Sequence, residues 1–171
     1  ASSAPLVKPE EVTAFELGYR GLVYLGESRI TVDVSGYYNS YNDFISGKNV
    51  LVPFYGEVGD NGLSLLALKN GDFKAFQIYT NTTAEISSYG ASIGLNTKVA
   101  GGFDLGTSYT YAKFDFDQAS DPDFEAGFNT PEHKVKLQFG HTNLFKNFGF
   151  NINARWQDEY LWESTFLDAT I

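Results

Sequence analysis

Apolar and polar residues alternate along six separate runs of the chain. In the first run, residues 13–21, Phe15, Leu17 and Tyr19 hold the odd positions, and small or charged residues such as Glu16 hold the even ones. A spacing of two places the apolar side chains on one face of a β-strand, whereas a helix would separate Leu17 from the two rings. The same alternation recurs over residues 29–44, 86–99, 103–113, 133–141 and 148–157. The pattern predicts an all-β protein with about six long antiparallel strands.

The connections between these runs alternate between short and long. Short ones fall near residues 23–28, 100–102 and 143–147, and long ones cover about 45–85 and 114–132. Several runs have nine or more residues, and a tilted strand needs about 9–11 to cross a bilayer. Outer-membrane barrels have short periplasmic turns and long external loops. We therefore predict a portion of an antiparallel transmembrane β-barrel with external loops at about 45–85 and 114–132.

Aromatic residues concentrate near both ends of the predicted strands, as expected where strands cross the two membrane interfaces. The chain has 15 Phe, 11 Tyr and 2 Trp, together with 17 Gly. The rings near the short turns are Tyr24, Phe103, Phe145 and Phe148. Those toward the long loops are Tyr38, Tyr41, Phe44, Tyr109, Tyr111, Trp156, Tyr160 and Trp162. A soluble sandwich or lipocalin-like barrel would alternate equally well with its apolar face inward, so alternation alone does not choose between the two classes.

Charge and cysteine content exclude several functions. The 171 residues carry a formal charge of −9, with no basic run, which argues against a nucleic-acid partner. The absence of cysteine excludes a disulfide scaffold, a zinc–thiolate site and a cysteine nucleophile. No stretch of 18 apolar residues occurs, so a transmembrane helix is not expected.

Six strands are too few to close a barrel, because about eight are the smallest number that does. We therefore expect residues 1–171 to be an incomplete part of one larger barrel domain. An alternative adds residues 50–55 and 73–80 as two further strands, which would give a small closed barrel of eight.

Several short motifs resemble those of TonB-dependent outer-membrane receptors. Pro9-Glu10 followed by Glu16-Leu-Gly-Tyr-Arg20 is similar to a segment that opens a strand in the later half of that barrel. Residues 29–39 and 43–45 are similar to the next strand, and Asn129-Thr-Pro-Glu-His133 resembles the start of a late strand. Tyr79-Thr-Asn81 with Tyr89-Gly90 also resembles a strand start, although Thr82 stands where Ala or Gly is common. The order of these pieces matches across nearly the whole chain.

The resemblance implies a late-barrel segment of a receptor in the bacterial outer membrane, without the plug domain and the closing strands. Such receptors import an iron chelate, cobalamin, an oligosaccharide or a peptide. The implied partners are outer-membrane lipid, the remaining strands and plug of the same receptor, and a TonB-type energy-coupling protein that acts through the plug. No cofactor is implied.

Two sets of residues are candidates for ligand or plug contacts. Charged residues at polar positions of the strands would line the lumen, where they would hold a plug, guide a ligand or only make the inner wall hydrophilic. They are Glu16, Arg20, Arg29, Asp33, Lys134, Lys136 and Arg155. Aromatic residues of the first long loop would stack on sugars or aromatic iron chelators, or pack within the loop; they are Phe54, Tyr55, Phe73, Phe76 and Tyr79.

Metal and catalytic sites are weakly indicated. Asp115, Asp117, Asp121 and Asp123 form an acidic segment that offers oxygen ligands for calcium but lacks the EF-hand spacing, so a solvated external loop is the favoured interpretation. His133 and His141 lie eight residues apart on one strand, too far for a shared metal. No Ser-His-Asp set or phosphate loop is present, and we predict that the chain is not an enzyme. The alternative functions are a small closed outer-membrane barrel or adhesin and a soluble ligand-carrying barrel.

Overall fold

Six long strands form one antiparallel sheet in which each strand pairs with the one before it. The computed structural model describes residues 6–26, 28–57, 62–122, 124, 127–163 and 169–171. The sheet has the order β1-β2-β5-β6-β7-β8. Its strands are β1 (Glu11–Leu25), β2 (Ser28–Asn42), β5 (Ile86–Val99), β6 (Phe103–Phe116), β7 (His133–Phe145) and β8 (Phe148–Gln157). The prediction of an all-β fold with six long antiparallel strands is confirmed.

A second, separate sheet lies in the first long connection. Among the described residues, strands β3 (Ile45–Pro53) and β4 (Phe73–Asn81) pair only with each other, and the helix α1 (Leu63–Asn70) lies between them in the chain. We call this unit the loop hairpin. Residues 50–53 and 73–80 lie in these strands, whereas residues 54 and 55 do not. Their proposed place in a closed barrel of eight is wrong, because neither strand joins the main sheet within the described residues. The short strands β9 (Leu161–Trp162) and β10 (Ala169–Thr170) also pair with each other.

Tight turns join the main strands at one end of the sheet. Gly101 and Gly102 both have φ of 84°, a left-handed conformation that glycine adopts without a Cβ clash. Asn147 turns the chain between β7 and β8 with φ of 63°, which asparagine tolerates better than most residues. At the opposite end lie the long connections between β2 and β5 and between β6 and β7. We call these the short-turn end and the long-loop end.

The register places the alternating apolar residues of all six strands on one face. Residues paired across an antiparallel ladder share a face, and Tyr19 pairs with Val34, Val34 with Ile93, and Ile93 with Tyr109. The series continues through Val135 to Trp156. The sheet therefore has one apolar face and one polar face, as the sequence predicts. The apolar face is open to its surroundings, with Leu17 83% exposed and Ile152 59% exposed.

Aromatic residues form the two expected groups, with three differences. Tyr38, Tyr109, Tyr111 and Trp156 share the apolar face toward the long-loop end, and Phe145 stacks on Phe148 with ring centroids 4.6 Å apart near the short turns. Tyr24, however, pairs with Arg29 and so lies on the polar face. Tyr41 and Phe44 turn instead into a buried cluster of the loops.

The buried core of the described residues lies at the long-loop end. Ala84, Ile86 and Phe124 are buried, and four rings pack against them: Tyr41, Phe44, Phe116 and Phe128. We call these seven residues the aromatic cluster. Phe124 and Phe128 belong to the β6–β7 connection, so this loop folds back over the strand ends. Among the described residues, no helix has the length and apolar character needed to cross a membrane.

Candidate functional site: the polar face and the long-loop end

The seven charged residues selected from the sequence share the polar face. Arg20 pairs with Asp33 across β1 and β2, and the Arg20 Nε atom donates to Asp33 Oδ1 at 2.8 Å. Glu16 pairs with Tyr37 of the same face. Lys136 pairs with Arg155 across β7 and β8, and Lys134 pairs with Gln157.

Two further charged residues of this face lie near the short-turn end. Lys98 pairs with Arg29 in the ladder, and its Nζ atom lies 3.3 Å from Asp104 Oδ1. Lys98 and Asp104 are not among the seven residues predicted from the sequence, although both hold polar positions in predicted strands. The ion pair places a carboxylate beside the two cations.

Hydroxyl and amide groups bridge β2 and β5 on the polar face. Ser35 Oγ and Ser92 Oγ lie 2.8 Å apart. The Asn39 side chain donates to Ser88 Oγ at 3.1 Å, and the Tyr41 hydroxyl lies 3.3 Å from the same atom. Ser88 is 1% exposed, so these bonds satisfy a hydroxyl that would otherwise be buried without a partner. This group is not predictable from the sequence, because a serine at a polar position gives no indication of its hydrogen-bond partners.

A buried carboxylate joins the two long loops. Asp121, in the β6–β7 connection, accepts hydrogen bonds from the Lys48 ammonium at 2.5 Å, the Thr82 hydroxyl at 2.6 Å and the Thr83 backbone N–H at 3.3 Å. Lys48 lies on β3, and Thr82 and Thr83 follow β4. Burial by itself raises the pKa of Asp121, but these hydrogen bonds and the charge of Lys48 bring it below its usual value. Asp121 therefore holds the loop hairpin against the second loop as a charged group.

The other aspartates of the acidic segment do not gather around Asp121. β6 continues to Phe116, so Asp115 lies in a strand rather than in the loop. Asp117 Oδ1 accepts the backbone N–H of Ala119 at 3.0 Å. Asp123 lies outside the described residues. Within the ranges that the structure describes, no three His, Asp or Glu side chains form a group that would hold a metal ion.

The five loop aromatics lie on the loop hairpin without forming one surface. The ladder of β3 and β4 places Phe73 and Tyr79 on one face of the hairpin and Phe76 on the other. The Tyr55 hydroxyl donates to Asp72 Oδ2 at 3.1 Å, which holds the Tyr55 side chain near the C-terminal end of α1. The Lys74 ammonium lies 5.1 Å from the centre of the Phe76 ring, in a cation–π contact. Phe54 and Tyr79 are mostly exposed, and their rings are the most accessible for stacking on a ligand.

The two histidines occupy opposite ends of β7. The Tyr109 hydroxyl lies 2.7 Å from His133 Nδ1, and the rings stack with centroids 5.9 Å apart. His141 Nδ1 accepts the Asn143 backbone N–H at 3.0 Å, so its Nε2 carries the proton and donates to the Gly101 carbonyl at 2.6 Å. His141 thereby ties one short turn to the next.

A cleft of about 600 Å³ opens at the long-loop end. Phe114 and Phe128, stacked with centroids 3.6 Å apart, form one wall. Glu132, Asp158 and Tyr160 are among the remaining lining residues. Asn129 and Glu163, both of which line the cleft, are joined by two hydrogen bonds. The Asn129 side-chain amide donates to the Glu163 carbonyl at 3.0 Å, and its side-chain oxygen accepts the Glu163 backbone N–H at 2.7 Å.

The main sheet therefore combines long strands and one apolar face with short turns at one end and long folded loops at the other. A family model described as TonB dependent receptor-like, beta-barrel matches residues 1–170. No curated protein and no solved structure matches the chain. The match covers nearly every residue, and the antiparallel sheet of long consecutive strands is the architecture of a β-barrel wall. The chain belongs to the family of TonB-dependent receptor-like β-barrels.

Proposed function

We propose that this chain forms part of the wall of an outer-membrane receptor that imports a nutrient. The family match over residues 1–170 is the observation that carries the proposal. The family is one of transporters rather than enzymes, and its members are typical of the bacterial outer membrane. The nutrient classes compatible with such a receptor are iron chelates, cobalamin, oligosaccharides and peptides.

The two faces of the sheet support this role. An apolar face that extends across six strands needs an apolar neighbour, and lipid supplies one along the whole strand length. The opposite face carries charges such as Lys136 and Arg155, each of which would cost about 2–4 kcal/mol if it faced lipid at the bilayer midplane. We therefore propose that the apolar face contacts lipid and that the polar face lines the lumen.

The edges of the sheet support further partners. Within the described residues, β1 and β8 each have a single neighbouring strand. Unpaired backbone groups in hydrocarbon cost several kcal/mol each. We propose that other strands of the same receptor pair with these edges, that a plug fills the lumen, and that a TonB-type protein supplies energy through the plug.

The loops at the long-loop end would meet the nutrient first. The exposed rings Phe54 and Tyr79 provide stacking surfaces, and the cleft beside Phe114 and Phe128 provides a concave surface. A soluble ligand-carrying barrel would instead place the apolar face inward, and the family match does not favour it.

Deletion of the gene that encodes the chain tests the proposal. The mutant is grown with iron, cobalamin, oligosaccharide or peptide supplied in limiting amounts, and uptake of the labelled nutrient is measured with and without a proton-gradient uncoupler. We expect loss of uptake for one nutrient class, and we expect the uptake by the parent strain to stop when the gradient is removed. Unchanged uptake of all four classes would contradict the proposal.

A further inference from the structure

The β6–β7 connection contacts both of its neighbours at the long-loop end. On one side, its Asp121 carboxylate accepts a hydrogen bond from Lys48 of the loop hairpin at 2.5 Å. On the other side, the Gly127 backbone N–H donates to Glu163 Oε2 at 2.7 Å, and Asn129 makes two further hydrogen bonds with the Glu163 backbone. Glu163 follows the short strand β9. The connection therefore bridges the loop hairpin and the segment after β8.

The first part of this bridge is a compact turn, because local hydrogen bonds join Asp121 to Phe124. The Phe124 backbone N–H donates to the Asp121 carbonyl at 3.0 Å. The Gln118 side-chain amide donates to the Asp121 carbonyl at 3.2 Å and to the Phe124 carbonyl at 3.1 Å. Asp121 is 6% exposed and Phe124 is 3% exposed. A shift of the buried Asp121 carboxylate therefore also shifts the Phe124 ring.

Aromatic contacts continue from Phe124 to the wall of the cleft. The Phe44 ring packs against Phe124 with centroids 5.9 Å apart and against Phe128 with centroids 5.7 Å apart. Phe128 stacks in turn on Phe114, and these two rings form the wall. Phe44 also marks the base of the loop hairpin, since its carbonyl accepts the Thr82 backbone N–H. Because protein interiors are close-packed, a ring that moves displaces the rings it touches.

Asn129 completes the bridge, since it directly follows Phe128 in the chain. Its backbone has φ of 42°, in the left-handed region. Asn129 and Glu163 both line the cleft. Hydrogen bonds weaken steeply when their angles depart far from linear. A turn of the backbone at Phe128 would therefore weaken the two bonds between Asn129 and Glu163.

We infer that the β6–β7 connection couples the loop hairpin to the cleft, so that loosening of one loosens the other. The Asp121–Lys48 contact is one end of the coupling, and the Asn129–Glu163 contact is the other. Energetic coupling between two sites is reciprocal, so a change at either end has an effect at the other. A molecule that holds the loop hairpin, for example at the exposed ring of Tyr79, would therefore also order the cleft.

Amide hydrogen exchange of the full receptor in detergent, measured by mass spectrometry without any nutrient, tests the coupling. Asp121→Asn removes the charge that binds Lys48 at the hairpin end. We expect the amides of residues 160–163, which include the Glu163 N–H bonded to Asn129, to exchange about fivefold faster than in the parent. Parent-like exchange at residues 160–163 would overturn the inference, whether or not β3 and β4 exchange faster.

The reverse experiment starts at the cleft end. Asn129→Gly removes the side chain that bonds Glu163, and glycine keeps the left-handed backbone without strain. We expect the amides of residues 80–83, which include the Thr83 N–H bonded to Asp121 Oδ2, to exchange faster by a similar factor, as reciprocity requires. Unchanged exchange at residues 80–83 would contradict a coupling between the two ends.

Tyr55→Phe is the matched control, because it loosens the loop hairpin away from the bridge. It removes the hydroxyl that donates to Asp72 Oδ2 at 3.1 Å. We expect faster exchange around α1 and parent-like exchange at residues 160–163. If this control accelerates exchange at residues 160–163 as much as Asp121→Asn does, any loosening of the hairpin spreads, and the β6–β7 connection is not the coupling element.

A milder variant keeps the test decisive if Asp121→Asn unfolds the loops, which complete exchange throughout residues 45–81 would report. Thr82→Val removes the hydroxyl that donates to Asp121 at 2.6 Å and leaves the charges of Asp121 and Lys48 in place. We expect the same direction of change at residues 160–163 with a smaller factor, and parent-like exchange there would again contradict the coupling. Because no nutrient is present, the outcome does not depend on the proposed function, which uptake tests separately.

Discussion

Gly90 lies on the polar face where a tyrosine ring and a neighbouring strand leave no room for a side chain. A Cβ atom at this position would lie 2.7 Å from Tyr37 Cε1 and closer still to the Tyr111 carbonyl oxygen. Gly94 occupies the same face of β5, and a Cβ there would meet only Asp33 Cβ at 3.7 Å, an ordinary contact. A Cβ atom would therefore clash at Gly90 but not at Gly94, although both glycines hold polar positions of the same predicted strand.

This difference predicts unequal effects of alanine. Gly90→Ala should lower the stability of the folded receptor by about 1–3 kcal/mol through overpacking, while Gly94→Ala should change it little. Thermal unfolding of the two variants in detergent, followed by heat-modifiable mobility, measures the effect. Equal melting temperatures of the two variants would show that Gly90 has room for a Cβ atom between Tyr37 and Tyr111.

Asp121 gives a prediction that depends on pH. Its pKa is lowered in the folded loops, so its stabilising effect is complete above about pH 4, the usual value of a free aspartate, and is lost as the pH falls through the lower folded value. We expect hydrogen-exchange protection of the β3–β4 amides, corrected for intrinsic rates, to be constant from pH 7 to about pH 4 and to fall below it.

The matched variants for this experiment are Asp121→Asn and Asp117→Asn. Asparagine at 121 loses the charge that binds Lys48, so protection of the loop hairpin should be lower at pH 7 and should no longer fall with acid. Asp117 accepts a local backbone bond within its own turn, and its variant should behave like the parent. A parent-like pH profile in Asp121→Asn would assign the acid effect to another group.

Among the elements, the loop hairpin is attached to the barrel wall without being part of it. The Thr82 backbone N–H donates to the Phe44 carbonyl at 2.8 Å, so the two residues that flank the loop hairpin are adjacent. Its strands share no ladder with the main sheet. Deleting residues 45–81 and joining the ends with two glycines should therefore leave a folded barrel, while binding of the nutrient weakens.

Heat-modifiable mobility and ligand binding of the deletion variant measure these two outcomes separately. We expect the heat-modifiable mobility to be retained and ligand binding to be reduced, because the deletion removes the exposed rings of Phe54 and Tyr79. Loss of the folded barrel would contradict the separation of the two sheets.

The main strands were predictable from sequence, and the contacts of the loops were not. Alternation over nine or more residues specifies a strand and which of its faces is apolar, and β5 and β8 begin and end where the pattern does. The shorter runs near 50–55 and 73–80 show strand character but carry no information about which edge they pair with. The Asp121–Lys48 pair joins residues 73 apart, and nothing in the local sequence of either indicates the other.

At the scale of the whole molecule, the open sheet predicts that residues 1–171 alone do not refold into a closed barrel. Within the part of the chain that the structure describes, one edge of β1 is unpaired along its 15 residues, and each unpaired group in hydrocarbon costs several kcal/mol. A few such groups outweigh the roughly 5–15 kcal/mol of a typical domain. Refolding of this segment in detergent should give no protease-resistant, heat-modifiable monomer. A compact resistant monomer would show that the segment closes on itself.

We propose above that the alternating sheet forms a barrel wall, with lipid on its apolar face and the lumen on its polar face. Residues 1–171 contain no cysteine. With any cysteine elsewhere in the full receptor replaced by serine, single cysteines at residues 91–96 of β5 can each carry a spin label in lipid. We expect labels at Ala91, Ile93 and Leu95 to collide with oxygen dissolved in the lipid, and labels at Ser92, Gly94 and Asn96 to collide with a water-soluble nickel complex. The same preference at all six positions, or the reverse alternation, would contradict it.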